Sequence, residues 1–65
     1  MRLIIHTKVG TFVKDNAREI DELNLLDTVT GYGDTFEFIC RTDIGGKERR
    51  RVFRTSDYQY LEIED

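Results

Sequence analysis

Sixty-five residues with a net charge of −3, 38% hydrophobic content and no proline make a single domain, 1–65, and argue against a disordered tail or linker. A chain this short buries only about 60% of the surface its unfolded form exposes, so it depends on a well-packed core or on a partner subunit. A single cysteine excludes an internal disulfide, one histidine with one cysteine cannot supply the usual tetrahedral zinc ligands, and no apolar run approaches the ~20 residues of a membrane span.

The opening run RLIIHT, residues 2–7, is short, apolar and β-branched, and it reads as a strand with Leu3 and Ile5 on one side and Ile4 and His6 on the other. Its neighbourhood, MRLIIHTKVG, is too short for a secretory signal. The expectation is a soluble cytoplasmic protein, and one unpaired cysteine fits a reducing compartment. Gly10 permits a turn, and TFVK, residues 11–14, reads as the return strand.

The period then changes. Asn16 and Glu19 have capping-box spacing, acids crowd the following turn, and Ala17, Ile20 and Leu23 recur at helical intervals. A short helix from Ala17 to Leu25 is the reading. The alternative for the end of this segment is a strand through LLDTVT, favoured by β-branched Thr28, Val29 and Thr30. GYGD, residues 31–34, is a loop.

Two alternating runs flank Gly45-Gly46 in TFEFICRTDIGGKERRRVFRTS, the pattern of a β-hairpin with a two-residue turn. With the glycines at the turn, Phe38 faces Phe53, Ile39 faces Val52 and Glu37 faces Arg54. One side of the hairpin then collects Phe36, Phe38, Cys40 and Phe53. This register also sets Asp43 against Glu48 and Arg41 against Arg50, faults that a one-residue bulge near the turn would relieve. After TSD, the run YQYLEIED alternates again as a last strand, with Leu61 and Ile63 on one side and Tyr58, Tyr60 and Glu62 on the other.

Charge falls in alternating blocks: residues 1–14 sum to +3, 15–37 to −6, 41–54 to +4 and 55–65 to −4. A bipolar chain of this kind pairs with itself, steers toward a partner, or neutralises its own charge across neighbouring strands. The stretch IGGKERRRVFR holds five basic residues. On a strand its arginines point to both faces, Arg49 and Arg51 with Phe53, Arg50 and Arg54 with Val52, so they do not make one patch. Three readings remain open: a solvated, charge-protected edge strand, an interface for an acidic protein or for another copy of the chain, and a nucleic-acid surface. For RNA or single-stranded DNA, Tyr32, Tyr58, Tyr60 and His6 offer stacking rings beside the arginines. Against it stands a pI near 5.0, where nucleic-acid-binding domains are usually strongly basic.

Catalysis finds little support. Cys40 has no positioned base, Asp21 and Glu22 are adjacent and so lie on different helix faces, and GYG lacks the spacing of a phosphate-cradling loop. Neither a cofactor nor a small-molecule substrate is expected.

The segments RLIIHTKVGT, DIGGKERRRVF and TSDYQYLEIED together resemble small uncharacterised proteins from phages and prophages of Gram-positive bacteria, most clearly over the last third of the chain. That resemblance implies a small accessory factor that binds and modulates a host or phage protein, inhibitors of host defence included. It carries over no site residues.

The sequence therefore predicts a mostly-β α+β domain: a small twisted antiparallel sheet of four to six strands with one short helix, an SH3-like half barrel being one form it can take. The expected core is Leu3, Ile5, Phe12, Ile20, Leu23, Phe36, Phe38, Cys40, Phe53, Leu61 and Ile63. The expected activity is non-catalytic binding of a protein, with self-association, through Arg49, Arg50, Arg51, Arg54, Tyr58 and Tyr60.

Overall fold

The computed structural model describes residues 1–31 and 33–65. It is a small, mostly-β α+β fold with five strands in one antiparallel sheet and one helix. β1 (Arg2–Thr7) and β2 (Gly10–Lys14) form a hairpin, α1 (Glu19–Thr30) follows, β3 (Thr35–Thr42) and β4 (Gly45–Arg54) form a second hairpin, and a single 3-10 turn (Thr55–Asp57) leads into β5 (Tyr58–Glu64). The strand order is β4-β3-β2-β1-β5.

That order has a geometric consequence. β4 and β5 are the two edges of the sheet, yet only Thr55–Asp57 separate them in the chain. A flat sheet of five strands would hold its edges about 19 Å apart at ordinary strand spacing. A 3-10 turn rises only about 2 Å per residue. The sheet must therefore roll strongly, bringing its edges together at that end. Three contacts record the closure: Thr55 N–H donates to Asp34 O at 2.9 Å, Lys8 N–H donates to Asp57 O at 2.8 Å, and the Tyr58 ring stands edge-on to Phe36 at 6.2 Å.

The concave face holds the core. Ile5, Leu25, Phe36, Cys40 and Phe53 are buried together, with Phe12, Val29, Phe38, Tyr58 and Leu61 packed against them. Phe36 stacks on Phe53 at 5.1 Å, and Phe12 meets Phe53 edge-on at 4.9 Å. Leu3 is also fully buried, and Val13 and Ala17 nearly so.

Three of the expected core residues lie elsewhere. Ile20 and Leu23 are exposed on α1, and Ile63 is exposed near the end of edge strand β5. Leu25 and Val29, four apart, form the stripe that meets the sheet. Residues three apart step back about 60° per interval, so Ile20, Leu23 and Leu26 wind away from it.

The helix also begins and ends later than Ala17–Leu25. At its start the Asp21 carboxylate accepts the Arg18 N–H at 2.8 Å, so Asp21, and not Glu19, completes the turn. At its end Thr28 Oγ1 donates to Leu25 O at 2.8 Å and Thr30 Oγ1 to Leu26 O at 2.6 Å. These back-bonds satisfy the threonine hydroxyls within the helix, Val29 gains burial against the core, and residues 24–30 are helix.

The β3–β4 hairpin keeps its expected faces but not its register. Phe36 pairs with Phe53, Glu37 with Val52, Phe38 with Arg51 and Ile39 with Arg50, two residues away from the expected alignment. The turn is Asp43–Ile44, and Gly45 and Gly46 follow it with φ of +130° and +88°. Only glycine adopts such values easily, and here they serve an irregularity after the turn instead of the turn centre. Between Cys40↔Arg49 and Thr42↔Gly45, β4 carries Gly46, Lys47 and Glu48 against the single Arg41 of β3. This frees Arg41 from Arg50, and its guanidinium instead grips Asp15 at 2.6 Å. A two-residue shift preserves side-chain parity, which is why the faces were right.

Candidate protein-binding surface on the β4 edge

β4 is ten residues long and has β3 on one side only. Among the described residues no strand pairs with its other side, so that row of backbone N–H and C=O groups is open to another chain. Its side chains alternate between the faces, Arg49 and Arg51 on the concave side with Phe53 and Arg50 and Arg54 on the convex side with Val52.

Arg51 points into the concave face opposite Phe38. Its guanidinium lies 5.3 Å from the centre of the Phe12 ring, and its Nε donates to Cys40 O at 3.2 Å. The fold absorbs this arginine. Arg50 points outward and donates to Glu37 at 2.8 Å; both side chains are well exposed. Lys47, Arg49 and Arg54 are exposed, and none has a carboxylate partner among the described residues.

Beside these cations, the convex face of the second hairpin exposes two apolar residues, Ile39 at 51% and Val52 at 61%. Where β2 parts from β3 there is a shallow depression of about 280 Å³, with Lys14, Asp21 and Asn24 on one side and Glu37–Ile39 on the other. Sequence reasoning did not find it, because the position of α1 over β3 is not written in any local pattern.

The two nominated tyrosines lie apart from this surface. Tyr58 is half-buried against Phe36, and burial raises its phenol pKa. Tyr60 is exposed on β5, the opposite edge, stacked on His6 at 4.1 Å with planes 13° apart. The His6 Nε2 meets Glu62 Oε1 at 2.5 Å, so this histidine is a linking residue between β1 and β5 more than a free polar side chain. Tyr32 lies outside the described residues. The structure thus gathers Arg49, Arg50 and Arg54 along one edge, turns Arg51 and Tyr58 to the core, and sets Tyr60 on the far edge.

Elsewhere the titratable groups serve the fold. Asp15 bridges Arg41 and Arg2, and chiefly its bond with Arg41 holds its carboxyl below the usual range. Burial pushes the Cys40 thiol up to about 11, which leaves it un-ionised and unreactive near neutrality. Among the described residues no group of three or more His, Cys, Asp or Glu side chains could hold a metal ion, and no helix is long and apolar enough to cross a membrane. No protein-family model matches the chain, and neither the curated proteins nor the solved structures give a match.

Proposed function

We propose that this protein is a non-catalytic binding module that takes an extended, acidic segment of a protein partner along the free edge of β4. The observation that carries the reading is the coincidence, on one open edge, of unpaired backbone and unpaired cations. Backbone hydrogen bonds supply affinity in strand addition, and side chains on alternate positions supply choice of partner. Lys47, Arg49 and Arg54 select for acids, while Ile39 and Val52 give the convex side apolar area that a partner can cover. The resemblance of the chain to phage and prophage accessory proteins makes a host or phage protein in the cytoplasm the expected partner.

The same cations also suit RNA or single-stranded DNA. The exposed ring nearest to a stacking platform, Tyr60, is however on the other edge and shares its face with Glu62 and Glu64. This distribution favours protein.

The test is capture from a nuclease-treated lysate of the encoding cell, with wild type beside an Arg49→Glu/Arg54→Glu variant. A discrete protein retained by the wild type, lost by the variant and indifferent to nuclease is the expected result. Binding of unrelated oligonucleotides instead, weakening with salt by a log–log slope of roughly 0.7 per phosphate contact, would replace this reading with the nucleic-acid one.

A further inference from the structure

The two free edges of the sheet carry opposite charge. β4 has Lys47, Arg49, Arg50, Arg51 and Arg54 against one acid, Glu48. β5 with the residue after it has Glu62, Glu64 and Asp65 and no base. Charged side chains commonly guard an edge against a second chain. Here the guard is selective. β4 laid on β4 opposes arginine to arginine, and β5 laid on β5 opposes glutamate to glutamate, whereas β4 laid on β5 joins opposite signs.

We propose that the protein associates with itself head to tail, β4 of one copy adding to β5 of the next. This rests on the reading that β4 accepts an extended acidic strand, and it names β5 of a second copy as such a strand.

Topology fixes the direction of the new pair. Every neighbouring pair in the order β4-β3-β2-β1-β5 is antiparallel, so β4 and β5 run the same way. If the concave face of one copy continues into that of the next, the added pair is parallel. Arg50, Val52 and Arg54 face outward on β4, as Tyr60, Glu62 and Glu64 do on β5. A register with Arg50 opposite Glu62 then sets Arg49 opposite Leu61, Arg51 opposite Ile63 and Val52 opposite Glu64, with no like charges face to face. Glu62 and Glu64 already meet His6 and Arg2, but each remains 55% exposed, which leaves them able to take a second cation. The same contact covers Val52, Tyr60 and Ile63, three of the exposed large apolar side chains. Because the two copies use different patches, the assembly closes as a ring or grows as a filament according to the rotation at each step.

Sedimentation velocity over a hundredfold concentration range decides the matter. The wild-type mass should rise above 7.7 kDa with concentration and fall back toward it in high salt. Arg50→Glu/Arg54→Glu, which reverses the cations on the face of Glu62 and Glu64, should remain a monomer, and so should Glu62→Lys/Glu64→Lys. An equimolar mixture of the two should associate again, because each restores the sign that the other lacks. Circular dichroism checks that the variants fold; if the loss of the His6 and Arg2 contacts unfolds the second, Gln59→Lys/Asp65→Lys replaces it. A wild type that stays monomeric throughout, or a mixture that fails to recover association, overturns the proposal. A synthetic peptide YQYLEIED separates this failure from that of the parent reading. If it binds a monomeric wild type and not the β4 variant, the β4 edge stands as an acidic-strand site and self-association alone falls.

Discussion

Phe53 and Val52 are adjacent on β4 and live in different surroundings: Phe53 is 6% exposed and Val52 is 61% exposed. The arginines beside them divide in the same way, Arg51 over the Phe12 ring and Arg50 out in solvent with Glu37. Residue type alone therefore says little about this strand. For these four residues the face of the rolled sheet decides whether a side chain holds the fold or is available to a partner, whereas Arg49, on the concave side opposite Cys40, is exposed all the same.

The strongest way to test that division is to remove a ring from the concave face. Phe53→Ala should cost about 3–5 kcal/mol, because Phe12 and Phe36 both lose their central contact. In a domain whose whole stability is of order 5–15 kcal/mol, a large fall in the urea midpoint is expected. A midpoint near wild type would mean that the concave face is not the core. The helix offers the same contrast at slightly smaller scale. Leu25→Ala should cost about 2–5 kcal/mol, and Leu23→Ala, at an exposed position, no more than about 0.5 kcal/mol. Equal effects at the two positions would show that α1 meets the sheet through a different stripe.

A weaker effect comes from charge. Asp15, the residue after β2, bonds to Arg41 of β3 and to Arg2 of β1, and its folded pKa lies below the unfolded value. Its contribution is therefore present in full above the ordinary carboxylate range, near 4, and is lost as pH falls through the folded pKa. Asp15→Asn should be less stable than wild type at pH 7, and the two thermal midpoints should converge in acid. A gap that persists unchanged to pH 2 would assign the effect to packing. The smallest expected change is on the convex face, where Val52→Thr should alter stability by no more than about 0.5 kcal/mol. If Val52 lies under a partner, the same substitution weakens association, a split between stability and binding that a core residue cannot show.

The strands were legible because alternation is a local pattern. Leu3 and Ile5 against Ile4 and His6, or Phe36, Phe38 and Cys40 against Glu37 and Ile39, announce their faces whatever lies beside them. Register was less legible. Gly45-Gly46 reads as a turn in one dimension, but the turn is Asp43–Ile44, and the shift it causes lets Phe36 reach Phe53. The helix was the least legible element, for Ile20, Leu23 and Leu26 supply a helical-looking apolar series that faces solvent. The arginine strand was readable as two-faced. That it is an edge, with one side of its backbone open, follows only from the strand order.

The pairing of β1 with β5 reaches further than its hydrogen bonds. Arg2 sits beside Glu64, 62 positions away in the chain, so the ladder joins the first strand to the last. The β3–β4 hairpin can form by itself from neighbouring residues, but Leu3 and Ile5 remain in water on one flank until β5 arrives. Closing a loop of that length costs entropy before any contact repays it. Refolding should accordingly take roughly milliseconds to seconds, slow for so small a chain, with the hairpin organised ahead of the final docking of β5.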